Sequence, residues 1–176
     1  SDLVAAFAGT ITTHTGDITI TDIPTNEQLA LIDAATTGNI IYSTGDYTVT
    51  DSTISASQLN SLDAQYSGTV NATAVTTISG TAAETTTVYS SSGISGLGNE
   101  AVTITDTPSI TELNNIAAQT TGVVTATLAS NSIANLASLA TAATDQITII
   151  INDVDATSIT ATDLSTLGGK TAGTVT

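Results

Sequence analysis

The feature that most constrains this chain is an internal repeat. The segments TNEQLALIDAATTG (25–38), SASQLNSLDAQYSG (55–68) and SITELNNIAAQTTG (109–122) share one plan. Each opens with Ser or Thr, carries Gln or Glu three residues later, places apolar residues at i and i+3, and closes on Gly. Looser copies are TAAETTTVYSSSG (81–93), SIANLASLATAATD (132–145) and TATDLSTLGGKTAG (160–173). A chain that repeats a unit of this size folds by stacking like units on one another.

Each mark of the repeat has a physical task. Thr25/Gln28, Ser55/Gln58, Thr81/Glu84, Ser109/Glu112, Ser132/Asn135 and Thr160/Asp163 have capping-box spacing. In that box the hydroxyl and the later side chain satisfy free backbone N–H groups at a helix start. Leu29/Ile32, Leu59/Leu62, Leu113/Ile116, Leu136/Leu139 and Leu164/Leu167 fall on one helical face, with Thr85/Val88 in the third copy. Gly38, Gly68, Gly93, Gly122 and Gly173 stand where a left-handed C-cap favours glycine. The expectation is one short helix per unit, too short to persist alone in water.

Between these helices, Ile18–Asp22, Tyr47–Asp51 and Val102–Asp106 alternate strictly between apolar residues and Thr or Asp. Val70–Thr73, Val124–Thr127, Ile147–Ile149 and Thr174–Thr176 do so more loosely. Such alternation turns Ile, Val and Ala inward and Thr outward. The expected fold class is therefore α/β: a solenoid of about six stacked strand-plus-short-helix coils of about 25 residues each. Its parallel sheet runs along one side and its helices along the other. A lead-in segment over 1–15 is followed by a single solenoid over 16–176, with coils ending near 38, 68, 93, 122, 145 and 173. A doubly wound domain would need longer helices and strands buried on both faces.

Composition narrows the function classes. The chain is 40% hydrophobic but only 3% aromatic, so its core is built from Ile, Val, Leu and Ala in narrow layers. Sixteen acids face one base, Lys170, for a net charge of −15. That excludes phosphate-neutralising nucleic-acid binders and polybasic membrane anchors. With no cysteine, disulfides, thiolate chemistry and Cys-based zinc sites are also excluded. No apolar run reaches membrane-spanning length. The chain begins without Met and ends on a strand-like Thr-Val-Thr, as a piece of a longer protein would.

The runs Leu59–Ala64 with Ser67–Glu84, and Gly93–Asp106, resemble the Thr- and Ala-rich tandem repeats of very large cell-surface proteins of marine cyanobacteria and other marine bacteria. The resemblance covers about residues 16–173 and is clearest over 46–122. It implies an extracellular, calcium-rich setting and a role in the cell coat, adhesion or surface-dependent motility. No catalytic residues accompany such repeats, and none is carried over.

Candidate sites follow from the residues themselves. Asp22, Asp51 and Asp106 each end a strand of the same type, Asp153 or Asp155 holds the corresponding place later, and Asp17 and Asp46 precede their strands. Gathered at strand ends, these carboxylates could form calcium shells with Thr hydroxyls and carbonyls. The competing role is local turn bonding, which Asp favours. Thr19, Thr21, Thr48, Thr50, Thr103, Thr105, Thr125 and Thr127 form outward Thr-x-Thr rungs, a surface-recognition face whose most specific use is ice binding. Thr is also the default polar residue of an exposed sheet. His14 has no second His or Cys to join it in chemistry and reads as an exposed coil residue. Gly93–Gly98 lacks the Lys of a phosphate loop and reads as a tight connection. Asn71-Ala72-Thr73 is a glycosylation sequon of a kind common by chance. A sugar-cleaving enzyme on such a scaffold needs acid pairs and aromatic platforms that are not visible here. The expected function is thus a non-catalytic spacer, coat or filament block at the cell surface, whose partners are its own neighbouring repeats or surface components. The alternative is a calcium-dependent adhesin module.

Overall fold

Alternating stretches of two to four residues cannot stand alone, so they persist only by pairing edge to edge with others. The structure, a computed structural model, describes residues 13–20, 26–42, 45–153 and 159–176. Its strands are β1 (Ile18–Ile20), β2 (Ile40–Tyr42), β3 (Tyr47–Thr48), β4 (Thr53–Ser55), β5 (Val70–Asn71), β6 (Thr77–Gly80), β7 (Ile94–Ser95), β8 (Ala101–Ile104), β9 (Val124–Thr127) and β10 (Gln146–Thr148). The helices are α1 (Asn26–Ala35), α2 (Ala56–Gln65), α3 (Ala82–Ser90), α4 (Ile110–Ala117), α5 (Ile133–Leu136) and α6 (Ala161–Gly168).

The chain is thus mixed α/β, with parallel sheets and short helices. Every strand pair is parallel. Where one sheet was expected, the strands divide among three: β1-β2, β3-β5-β7 and β10-β9-β8-β6-β4. Tyr47–Thr48 and Val70–Asn71 therefore lie in a different sheet from Val102, Val124 and Ile147. The strands β2, β4, β6 and β7 have no counterpart in the expected set. β4, β6 and β7 each hold a single apolar residue, and β4 and β6 run almost directly into a helix cap, so their alternation is too brief to register; β2, Ile-Ile-Tyr, does not alternate.

The register brings like residues together. Ile54 pairs with Ile78, Ile78 with Val102 and Val102 with Val124, and one step along Ala126 pairs with Ile147. All of these side chains are buried. From the other side come Leu59, Val88, Leu113, Ile116, Leu136, Leu139 and Leu167, each at most 2% exposed. Helices α2, α3 and α4 pack side by side, whereas α1 makes no comparable contact with α2. Asn60 and Asn114, one residue after the first leucine of their helices, donate to the Glu84 and Ser138 carbonyls at 3.0 and 2.9 Å.

The capping reading holds at α2, α3, α4 and α6, where Ser55, Thr81, Ser109 and Thr160 complete reciprocal boxes with Gln58, Glu84, Glu112 and Asp163. At α5, Ser132 accepts from the Asn135 N–H but the return bond is not made. Thr25, of the first pair, lies outside the described residues.

Two expectations about the ends of the unit are corrected. Gly38, Gly68, Gly93, Gly122 and Gly173 are not left-handed; positive φ falls on Gly45, Gly96 and Gly98. Their reason is space. A Cβ on Gly38, Gly68, Gly122 or Gly173 would strike the main chain of Gly16, Gly45, Glu100 or Ile147, and one on Gly93 the Asp63 carboxylate. Leu164, expected inward, is 47% exposed, and Leu167 alone anchors the apolar face of α6.

Candidate functional site

Of the acids proposed for calcium, Asp51, Asp106 and Asp153 fall among the described residues. Among the described residues, no three of His, Asp and Glu form a group able to hold a metal ion. Asp22 and Asp155 lie outside the described residues. Asp106 accepts the N–H of Ala82, the first residue of α3, at 2.8 Å, and Asp153 accepts that of Ile133, the first residue of α5, at 2.7 Å. Asp17 and Asp46, which precede β1 and β3, accept from Asn39 and Thr69 at 2.8 and 2.9 Å. Asp145, before β10, accepts from Val124 at 2.9 Å and from Ala142 at 2.8 Å. Apart from the Ala142 contact, the partners lie 20 to 24 residues away. These carboxylates therefore tie distant stretches together, and only Asp145 also closes a local turn, with Ala142. Asp51 is exposed and takes part in no such tie.

Sequence reasoning passed over Glu100 and Asp145, the two buried acids among the described residues, at 0% and 3% exposure. A carboxylate inside a protein is tolerated only when its lone pairs are occupied. Glu100 accepts from the Gly98 and Asn99 N–H groups at 2.7 and 3.1 Å and from the Tyr89 hydroxyl. Burial first, and the Glu100 partner second, push the Tyr89 hydroxyl far above its ordinary range. Asp145 could have been found, because it stands before its strand as Asp17 and Asp46 do. Glu100, inside a Gly-rich run, gives no such signal.

Other titrating groups serve the helix starts. Glu84 is held below the usual carboxylate range by the Thr81 backbone N–H and then its hydroxyl. Glu112 and Asp163 are lowered first by the hydroxyls, then by the N–H groups, of Ser109 and Thr160. Burial raises Tyr47 and carries Tyr66 up to about 12, the two rings lying 4.6 Å apart between centroids. The single base, Lys170, donates to the Ala137 and Leu139 carbonyls just past α5, where a helix end favours a cation.

Seven of the eight rung threonines (19, 48, 50, 103, 105, 125 and 127) are exposed; Thr21 lies outside the described residues. They do not share one sheet. Thr19 belongs to the two-stranded sheet and Thr48 to the three-stranded one, with Thr50 just beyond it. Only Thr103, Thr105, Thr125 and Thr127 lie along the five-stranded sheet. There a polar row runs Ser55, Ser79, Thr103, Thr125, Gln146 in direct register, and Thr127 pairs with Thr148.

His14 is exposed, and its backbone pairs with Thr36. The Gly93–Gly98 run is a connection: it holds β7 and turns at Gly96 and Gly98 with φ of 84° and 130°, which glycine adopts freely. In the sequon, Asn71 Oδ1 accepts both the N–H and the hydroxyl of Thr73. No helix among the described residues is long and apolar enough to cross a membrane. Comparison with known proteins found no matching family model, curated protein or solved structure.

Proposed function

We propose that the chain is a solenoid of stacked strand-and-helix units. On this reading it serves as a non-catalytic structural module of an extracellular bacterial protein, a spacer, coat or filament block. The observation that carries this reading is the fate of the carboxylates. Asp17, Asp46, Asp106, Asp145 and Asp153 each grip a backbone N–H 20 to 24 residues away, one unit along the chain. Acids spent on joining units are not poised for proton transfer, and a stack built on neighbour contacts has length and stiffness as its product.

Two measurements test this. Electron microscopy of a four-copy concatemer should show rods that lengthen by about 4.8 Å per unit, the spacing of paired strands. Separate globules on a string would overturn the architecture. Antibody labelling of intact cells of the source bacterium should reach the epitope without permeabilisation; labelling only after permeabilisation would overturn the surface address. A melting temperature that rises on adding calcium would move the reading to a calcium-dependent adhesin.

A further inference from the structure

Helices α2, α3 and α4 stand shoulder to shoulder, but the row is interrupted between α1 and α2. A cavity of about 490 Å³ lies there, with Asp33, Asp51, Tyr47, Val49, Leu62 and Gln65 in its lining. The two carboxylates differ from their fellows. Every other described Asp and Glu side chain accepts a hydrogen bond from a backbone N–H or a hydroxyl. Asp33 and Asp51 accept none among the described residues.

The only base of the chain cannot balance them, because Lys170 is bonded to carbonyls beyond α5. In the same lining the buried Gln65 Oε1 has no hydrogen-bond partner, so an acceptor is left over beside the two charges. Asp51 also acts on the Tyr47 hydroxyl, whose pKa is raised by burial and then by that carboxylate. A bare divalent ion suits this lining poorly: no three acids among the described residues form a group able to hold one, and such an ion gains nothing from an aromatic ring or an apolar floor. A cation with an apolar stem uses both the polar and the apolar side of it: charge to the carboxylates, donors to the amide oxygen, methylenes to Val49 and Leu62, and the ring of Tyr47 beside the charge.

We infer that the cavity between α1 and α2 binds a small organic cation, an ammonium or guanidinium group on a short alkyl stem, with Asp33 and Asp51 as its countercharges. Free amines and the basic side chain of a partner protein present the same chemistry. The test is calorimetric titration of the whole chain with agmatine, putrescine, a blocked lysine (Nα-acetyl-lysine methylamide) and calcium chloride. Agmatine or putrescine should saturate at one per chain and weaken as salt is raised. Asp33→Asn and Asp51→Asn should each lower that affinity about tenfold. Asp163→Asn, which removes the same charge far from the cavity, should leave it unchanged. Equal binding of the blocked lysine assigns the site to a partner's side chain, and weaker binding assigns it to free amines. No saturation by any amine, an equal loss in Asp163→Asn, or saturation by calcium alone would overturn the inference.

Discussion

Two stretches of the chain reach the five-stranded sheet by different routes. From α2 to β6, and from α3 to β8, the backbone first lays down β5 or β7 in the three-stranded sheet. β4 and β6 then pass almost at once into the following helix. From α4 to β9, and from α5 to β10, no such strand intervenes among the described residues, and β8 and β9 are each followed by five further residues, 105–109 and 128–132, before the next helix. Yet the pairing continues across the change, from Ile78 to Val102 and from Val102 to Val124. Loop length can therefore move from one side of a strand to the other without breaking the ladder, provided that the backbone polar groups at the change are satisfied. Glu100 does this at the change itself, between the turn at Gly98 and the start of β8.

The comparison can be broken by mutation, beginning with the core. Leu113 is fully buried in the middle stretch, so Leu113→Ala should cost about 4 kcal/mol in chemical denaturation. Leu164, its counterpart in α6, should cost less than about 0.5 kcal/mol. Equal losses would mean that the C-terminal stretch is as closely built as the middle. Next is the change of route. Glu100→Ala strips the Gly98 and Asn99 N–H groups and the Tyr89 hydroxyl of their shared acceptor, a loss of about 3 kcal/mol. A near-neutral result would show that the switch of route needs no buried charge.

The smallest effects concern the helix starts. Ser109→Ala should cost about 1 kcal/mol, and Ser132→Ala less, because α5 lacks the return bond. The same contrast appears with pH. Glu84, Glu112 and Asp163 have lowered values in the folded chain, so their contribution is present above the unfolded carboxylate range and is lost as pH falls through the folded values. Acidification should lower hydrogen-exchange protection at the first turns of α3, α4 and α6. At α5, where Asn135 stands at the matching place, the Asn135 N–H on the Ser132 hydroxyl should hold; the Ile133 N–H, bonded to the Asp153 carboxylate, is no part of the comparison. Parallel loss at Asn135 would refute the assignment.

The parts of this fold that were legible in the sequence are those governed by local chemistry. Hydroxyl and acid at capping spacing marked the helix starts, and Ile-Thr or Val-Thr alternation marked β1, β8, β9 and β10. What was hidden depends on what lies across a gap in sequence. Nothing local separates Tyr47 from Val102, yet they join different sheets, because the sheet is chosen by which neighbour the strand meets. Ile54 and Ile78 are single apolar residues that become strands only in each other's company. Leu164 obeyed the helical pattern but is left largely exposed. The acids at strand ends were recognised as a group, but the partners of Asp106 and Asp153 could not be read, since each lies some twenty residues away. Asp33 went unremarked for a related reason: its distinction is the absence of the partner that every other acid but Asp51 has among the described side chains.

The glycines that close the repeat carry a consequence for how such a chain can change. At Gly38, Gly68, Gly122 and Gly173 one stretch of main chain rests directly on another, so the spacing between neighbours is fixed by atoms that every residue shares. Outward positions can then drift in identity without altering that spacing. A duplicated segment would arrive with its joint already fitted, and any side chain at the joint, however small, would wedge it open.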